Sequence, residues 1–272
     1  MCKVIILGHS SYLAQGVPEY FSKKGLLVRV LHWRDWSKYI DELRQADAVI
    51  NFAMSPEFSK REMSLDEVLD VNIAKVLKDT KVQYVFFSSR KVYGYDTECR
   101  VYDEDSALKG FDAYSCNKIK VENFLRDILP DSCAILRVSN IMGDLSLRTH
   151  SGTFMGWIRE NYLKYGKLIV NQRVDVIKDF VTHEFVKKVL YKVIKERLVG
   201  VYNVSSNESI VLADLLSLCV GGNVQVEASV SLSDQFLLNN SRLYAATGLR
   251  CTREEIERCA SNNWKILQNI QS

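Results

Sequence analysis

Short apolar runs rich in β-branched residues alternate, through the first half of the chain, with segments whose apolar positions recur at helical spacing. Lys3 to Leu7, Leu27 to Leu31, Ala48 to Ala53, Tyr84 to Phe87 and Ala134 to Val138 have the length and composition of buried strands. Between the first two, Gly16 to Lys24 reads as a helix closed near Gly25. Ser37 is placed to cap a helix through Arg44, and Leu65 to Lys78 carries apolar residues at Leu65, Val68, Leu69 and Val76. Strands alternating with helices predict an α/β fold, a doubly wound parallel sheet covered on both faces, with ligands at the carboxyl ends of the strands. Beyond about residue 145 the alternation loosens. Helices are expected at Phe154 to Tyr165 and Glu184 to Arg197, and a short strand at Gly200 to Val204. A capping box, Thr252-x-x-Glu255, opens a last helix. No repeat, low-complexity tract or Pro/Gly linker intervenes, so residues 1–145 read as a first domain from which a smaller C-terminal lobe, residues 146–272, grows without a tether.

Composition narrows the class. A chain of 272 residues with 47% apolar and 25% charged residues can bury a large core. The net charge of +3 comes from scattered lysines and arginines, which argues against a nucleic-acid surface. Seven cysteines without a Cys-x-x-Cys pair and four histidines without ligand spacing argue for reduced, structural thiols and no metal site. The run Val4 to Leu7 is too short for a signal peptide, and no stretch approaches the roughly 20 apolar residues that crossing a bilayer needs. A cytoplasmic protein with no membrane partner is expected.

Two stretches carry candidate chemistry. In GHSSYLAQG, Gly8 holds the first place of a dinucleotide-binding turn, while Ser11 and Ala14 stand where glycines let a backbone approach pyrophosphate and pack a helix closely. In YSCNK, Tyr114 and Lys118 lie one helical turn apart, where an ammonium favours phenolate and lowers a reference pKa of about 10. The spacing recurs at Tyr20/Lys24 and Tyr191/Lys195, which read as solvated helix faces. Ser89 sets Tyr114 apart, because it ends a buried-strand pattern and can orient a carbonyl for proton transfer.

These residues resemble the extended branch of the short-chain dehydrogenase/reductase superfamily, the NAD(P)-dependent nucleotide-sugar epimerases, dehydratases and reductases. VIILGHSSYLAQGV resembles the cofactor turn, DAVINFA the strand that reaches the nicotinamide ribose, FFSSRKVYG the strand with the catalytic Ser, and YSCNK the catalytic helix. LRVSNIMG, IKDFVTHEFVKKVL and GVYNVSSNESI follow in the family's order. The resemblance implies a Rossmann-type sheet with a substrate-binding lobe. It assigns Ser89, Tyr114 and Lys118 as catalytic, and Gly8, Ser11, Tyr12, Leu13, His32, Arg34, Phe52, Ala53 and Lys118 as cofactor-binding. Asn140, Lys178 and Arg242 become candidate contacts to a nucleotide sugar, Lys178 standing in for a more usual Arg. Relatives are often homodimers.

Departures from the family refine the reading. His32 replaces the acid that holds ribose hydroxyls in NAD-preferring relatives, and Arg34 suits a 2′-phosphate, so NADP is favoured, with NAD left open through Asp35. About fifteen residues separate His32 from Asp47, too few for the family's third strand, which leaves an open adenine side. Arg90 and Lys91 occupy the places of the dehydratases' acid pair, which argues against dehydration. LNNSRLYAATGL resembles the tail of 4-keto-6-deoxysugar reductases. Reduction of a keto-deoxysugar nucleotide, of the kind that feeds surface-polysaccharide or glycoside synthesis, is the leading expectation. Epimerisation, with His183 as a candidate second base, and a non-catalytic dinucleotide-binding scaffold are the alternatives. Asp179 reads as structural and Cys116 as a packing residue.

Overall fold

The computed structural model of the chain describes residues 2–147, 153–171, 173–227 and 234–271. The strands run, in chain order, β1 (Lys3–Leu7), β2 (Leu27–Leu31), β3 (Ala48–Asn51), β4 (Gln83–Ser89), β5 (Arg100–Tyr102), β6 (Cys133–Val138), β7 (Asn140–Met142), β8 (Leu168–Val170), β9 (Ile177–Lys178), β10 (Phe180–Thr182), β11 (Gly200–Val204), β12 (Ile210–Val211), β13 (Val224–Val226) and β14 (Phe236–Leu238). The helices are α1 (Val17–Lys23), α2 (Ile40–Arg44), α3 (Leu69–Leu77), α4 (Ala113–Ile128), α5 (Phe154–Tyr165), α6 (His183–Lys195), α7 (Leu212–Val220), α8 (Ser241–Thr247) and α9 (Arg253–Gln271). Two compact units emerge. One comprises Met1–Gly94, Glu104–Val138 and Lys187–Tyr202, the other Tyr95–Asp103, Ser139–Val186 and Asn203–Ser272.

The first unit is built on a six-stranded sheet of order β11-β6-β4-β3-β1-β2. β1 pairs in parallel with both β2 and β3, β3 with β4, and β4 with β6. This is the Rossmann-type sheet, and the chain reverses its direction of growth at β1, the switch point where such sheets bind ligands. β3 and β6 are buried along their whole length, and β1 from Val4 on, because helices cover both faces. Each fully buried Val, Leu, Ile or Phe side chain there contributes about 1.5–3 kcal/mol. β2 is the edge strand, so the outer strand that the short His32–Asp47 interval leaves no room for is absent. A 3-10 helix at Trp33–Tyr39 and then α2 fill that interval. Ser37 lies inside the 3-10 helix and caps nothing, contrary to expectation; the His32 ring does so, accepting from the Arg34 N–H at 3.3 Å.

Polar groups sealed inside this unit fix its parts to one another. The Arg137 side chain on β6 donates to both Glu122 oxygens of α4, with Nη2 at 2.7 Å from Oε2, and to the Tyr93 hydroxyl at 3.1 Å. Ser88 donates to the same Glu122 carboxylate. Both charged side chains are fully buried. Asn117, inside YSCNK, donates to the Phe58 and Arg61 carbonyls and accepts from the Met63 N–H, pinning residues 58–63 to α4. In the two other Tyr-x-x-x-Lys pairs Lys24 and Lys195 are exposed, as expected, while the tyrosines are half-buried and meet edge to face with centroids 6.2 Å apart.

The second unit pairs its short strands two by two: β7 with β10, β8 with β13, β5 with β14, and β9 with β12, the last pair antiparallel. Its hub is Asp179, fully buried between β9 and β10. The carboxylate accepts the N–H groups of Ser206 and Asn207 at 3.0 Å, and the Asp179 carbonyl accepts from the Ser139 hydroxyl at 2.7 Å and from Asn140 at 3.1 Å. The capping box at Thr252 and Glu255 is formed, each side chain accepting the other's N–H. Among the described residues no helix is long and apolar enough to cross a membrane.

Breaking the Arg137–Glu122 pair by Arg137→Met strands a buried carboxylate. The variant is expected to lose about 3–5 kcal/mol, read as a fall in the urea midpoint of the first unit; a midpoint within experimental scatter of the wild type would refute the role given to this pair.

Candidate active site

The site in the first unit is assembled where β4 ends and α4 begins. β4 is buried from Gln83 to Ser88 and emerges half-buried at Ser89, whose hydroxyl accepts from the Lys91 N–H at 3.3 Å and caps the 3-10 turn Arg90–Tyr93. α4 is started by Asp112, whose carboxylate accepts from the Ser115 N–H at 2.7 Å. That cap sets Tyr114 in the first turn and Lys118 one turn on. The Ser89 hydroxyl acts on the Tyr114 phenol and Lys118 Nζ lies 5.6 Å from the centre of the Tyr114 ring, so the structure brings together the three residues that the motifs single out.

The electrostatics differ from the expected pattern. Burial pushes the Tyr114 phenol up to about 12, the Ser89 bond opposing this and the Asp112 carboxylate adding to it. Lys118 is buried and donates to the Phe87 carbonyl at 2.6 Å, under the rings of Phe86 and Phe58. Burial lowers its pKa, while the Asp70 and Glu122 charges hold it up. Desolvation of the phenol outweighs the lowering expected from Lys118, whose ammonium gives one of its three N–H donors to the Phe87 carbonyl.

Around the switch point, Gly8 ends β1 with φ +75°, and a Cβ there would collide with the backbone of Phe52 and Ala53. Only glycine permits both that conformation and that contact. Ser11, half-buried, donates its N–H to the Gly8 carbonyl at 2.9 Å, and Tyr12–Ala14 form a 3-10 turn with Tyr12 buried and Leu13 half-buried. α1 starts only at Val17, after Gly16 at φ +72°. A 3-10 turn, not α1, therefore follows Gly8 directly. Beyond β3, Asn51 clamps Ala53 through its N–H at 2.9 Å and its carbonyl at 3.1 Å, and it donates to the buried Asp70 at 3.0 Å. The Phe52 ring packs on Phe87, centroids 4.8 Å apart.

At the carboxyl ends of β2 and β3 a cavity of about 70 Å³ is lined by Trp33, Ala53, Met54, Phe58, Met63 and Asp70, among others. Arg34, exposed, lays its guanidinium 4.5 Å from the centre of the Trp33 ring, and the ring of exposed His32 lies nearly parallel to that of Trp33 with centroids 6.3 Å apart. Asp35 is engaged by Lys38 at 2.7 Å. The Gly8 turn and this small aromatic-lined cavity lie at the carboxyl ends of the strands, beside the switch point where such sheets bind ligands.

The candidate nucleotide-sugar residues lie in the second unit. Asn140 and Lys178 flank the Asp179 hub, with the Asn140 amide engaged on the Asp179 carbonyl; Arg242 is exposed on α8. His183 is buried at the start of α6. Cys116 packs its sulfur against Gly110, where a Cβ would come within 2.9 Å of it. The sequence reading missed Asp70, Asn117 and the Lys91–Asp112 pair. An Asp two residues before a helical Asn and an Asn within the catalytic motif are signals that only tertiary contacts interpret.

The sheet order, the Gly8 turn at the switch point and the clustered Ser89, Tyr114 and Lys118 define a Rossmann-type protein of the extended short-chain dehydrogenase/reductase class. Residues 4–205 match the model of the NAD dependent epimerase/dehydratase family, and the chain belongs to that family. No curated protein matches the sequence. Solved structures resemble the chain over nearly its whole length. One is a UDP-glucose-4-epimerase from Stenotrophomonas maltophila with bound NAD and formylated UDP-arabinopyranose, TM-score 0.80 at 16% identity, covering 100% of this chain and 99% of that one. A dTDP-4-dehydrorhamnose reductase from Clostridium acetobutylicum gives 0.76 at 18% identity over 98% and 99%. RMD from Pseudomonas aeruginosa, complexed with NADPH, gives 0.77 at 17% identity over 99% and 98%. At such identities the likeness establishes the fold.

The Asp179 carboxyl is pushed up to about 6 by burial, against the hydrogen bonds it accepts. An unfolded Asp titrates near about 3.9. The native state therefore holds the extra proton between these values, and the carboxyl's contribution to stability falls as pH rises through that window. Urea unfolding at pH 4 and pH 7 is expected to show the wild type losing about 2–3 kcal/mol relative to Asp179→Asn; parallel pH dependences would contradict this.

Proposed function

We propose that the protein is an NADPH-preferring reductase of a keto group on a nucleotide-activated deoxysugar. The observation that carries this reading is the clustering of Ser89, Tyr114 and Lys118 where β4 ends and α4 begins. A buried phenol pushed up to about 12 beside a serine hydroxyl is a proton donor at neutral pH. Reduction needs a donor at the carbonyl oxygen, whereas an epimerase that begins by oxidising an alcohol needs an acceptor first. A bound nicotinamide supplies the hydride. Tyr114 delivers its proton to the carbonyl oxygen as that oxygen becomes an alcohol, and recovers it from solvent. Ser89 orients the same oxygen through its hydroxyl.

Arg90 and Lys91, in place of a carboxylic pair, support reduction over elimination of water. Arg34 supports NADPH: it rests on Trp33 at the rim of the adenosine-side cavity, and the nearby Asp35 is paired with Lys38. The Arg fork can grip a 2′-phosphate with two hydrogen bonds. Asn140, Lys178 and Arg242 are the polar residues assigned to the nucleotide-sugar diphosphate, and the reductase likeness of one structural neighbour is consistent with that substrate class.

Titration with NADPH and NADH, followed by melting temperature, is expected to give at least about tenfold tighter binding of NADPH, a preference that Arg34→Ala removes. With keto-deoxysugar nucleotides, Tyr114→Phe is expected to cost about 10²–10⁴ in kcat. Unchanged turnover in that variant sinks the mechanism. Deuterium entering the sugar ring without cofactor consumption would instead establish an epimerase, and binding of neither nucleotide a non-catalytic protein.

A further inference from the structure

Asn117 lies inside the Tyr-x-x-x-Lys motif, next to Lys118, yet its side chain serves another segment. It is 1% exposed. Both of its N–H donors are used, on the Phe58 carbonyl at 2.9 Å and the Arg61 carbonyl at 2.8 Å, and its oxygen accepts the Met63 N–H at 2.9 Å. Two carbonyls and one N–H require two donors and an acceptor on one short side chain, which neither a hydroxyl nor a carboxylate offers. Lys120 ties the same segment to α4 at the surface, through Glu62 at 2.6 Å, where such pairs contribute little. The segment carries Phe58 in its opening 3-10 turn, Pro56–Ser59. Phe58 is buried and touches two parts of the site. Its ring meets Tyr114 edge-on with centroids 6.0 Å apart, and Lys118 Nζ lies 5.1 Å from its centre. With Met63 it also lines the cavity at the carboxyl ends of β2 and β3.

We propose that Asn117 is a positioning residue: by gripping the backbone of residues 58–63 it seats Phe58 as the wall between the Tyr114–Lys118 pair and that cavity, keeping water off the phenol. Its effect in turnover rests on the reductase reading; the seating of Phe58 rests on geometry. Lys118 keeps the place beside Tyr114 that the motif gives it. The charges around the phenol belong to other residues. Asp112 and Lys118 lie on α4, and Lys91, on the turn after β4, holds its Nζ 5.8 Å from the ring centre and pairs with Asp112. In the 55–63 segment Glu57 pairs with Lys60 at 3.0 Å, Arg61 with Glu67 at 3.1 Å and Glu62 with Lys120. Asp70 of α3 and Glu122 of α4 act on Lys118. Asn117 and Phe58 are neutral, so a neutral substitution of either leaves every one of these charges in the chain and reaches the phenol through the access of water.

The test is the titration of position 114 in the ligand-free protein, with 3,5-difluorotyrosine placed there alone and followed by ¹⁹F NMR. The fluorinated phenol is a stronger acid, so its midpoint falls where the protein is folded. Burial holds this phenol above its ordinary value, and admitting water brings it down. Phe58→Ala and Asn117→Ala are each expected to lower the midpoint by about one pH unit. The double variant shifts it no further than the larger single change, because both substitutions remove one wall. Phe58→Met, which keeps an apolar wall, restores most of the midpoint, and Lys120→Met, which loses only the surface tie, leaves it unmoved. If Asn117→Ala does not fold, Asn117→Ser, which retains one donor, takes its place. In turnover of a keto-sugar nucleotide, the Asn117 variant lowers kcat about tenfold and moves the alkaline limb of its pH profile down with the ¹⁹F midpoint. An unmoved midpoint in Phe58→Ala, or an Asn117 variant that loses stability at an unmoved midpoint, overturns the proposal. Shifted midpoints without turnover of any sugar nucleotide remove the reductase reading and leave Asn117 in its role. Turnover with unmoved midpoints does the reverse.

Discussion

A guanidinium and a carboxylate sealed from water hold together the three elements that make the site. Arg137 belongs to β6 and Glu122 to α4; Ser88, on β4, donates to the same carboxylate, and Tyr93, just past Ser89, accepts from the guanidinium. Such a pair adds little net stability over well-packed apolar residues, but no neighbouring arrangement satisfies all of its hydrogen bonds. It fixes how far α4 slides along β4. Ser89 is one residue from Ser88, and Tyr114 and Lys118 sit on the helix that carries Glu122, so the spacing among the three is set by a contact outside the site.

The same tight packing sets the proton chemistry. A helix pressed closely enough to a parallel sheet to align Tyr114 with Ser89 also strips water from the phenol and from the Lys118 ammonium. Desolvation acts on both in the direction of the neutral form. The charge that remains near solvent is on the Lys91–Asp112 pair, at the rim.

Much of this architecture was legible in the sequence. β1, β2, α5 and β11 coincide residue for residue with their patterns, because each is a short run dominated by apolar residues or a helical period, with Gly or Thr close to an end. The missing strand after β2 followed from chain length alone. What stayed hidden depended on contacts distant in sequence. The strands of the second unit are two or three residues long, too short for alternation to declare them. Trp33 to Tyr39 lacks the 3.6-residue period, and its aromatic residues, three apart, pack Trp33, Trp36 and Tyr39 on the core from a 3-10 path. Tyr-x-x-x-Lys spacing locates a phenol and an ammonium, yet only the Phe87 carbonyl reveals where that ammonium goes.

Ending the sheet at β2 has a consequence for company rather than catalysis. An edge strand offers its unpaired backbone groups to any extended peptide that comes alongside, and the five residues of β2 include a half-exposed Val28 and Val30 and an exposed Leu27. Arg29 stands in the middle of that rim, drawn to Glu42 at 3.3 Å and lying 6.0 Å from the Tyr39 ring. A charge at that point must be stripped of water before another strand can dock, so the interval that shortened the fold also supplies the guard against its growing by accretion.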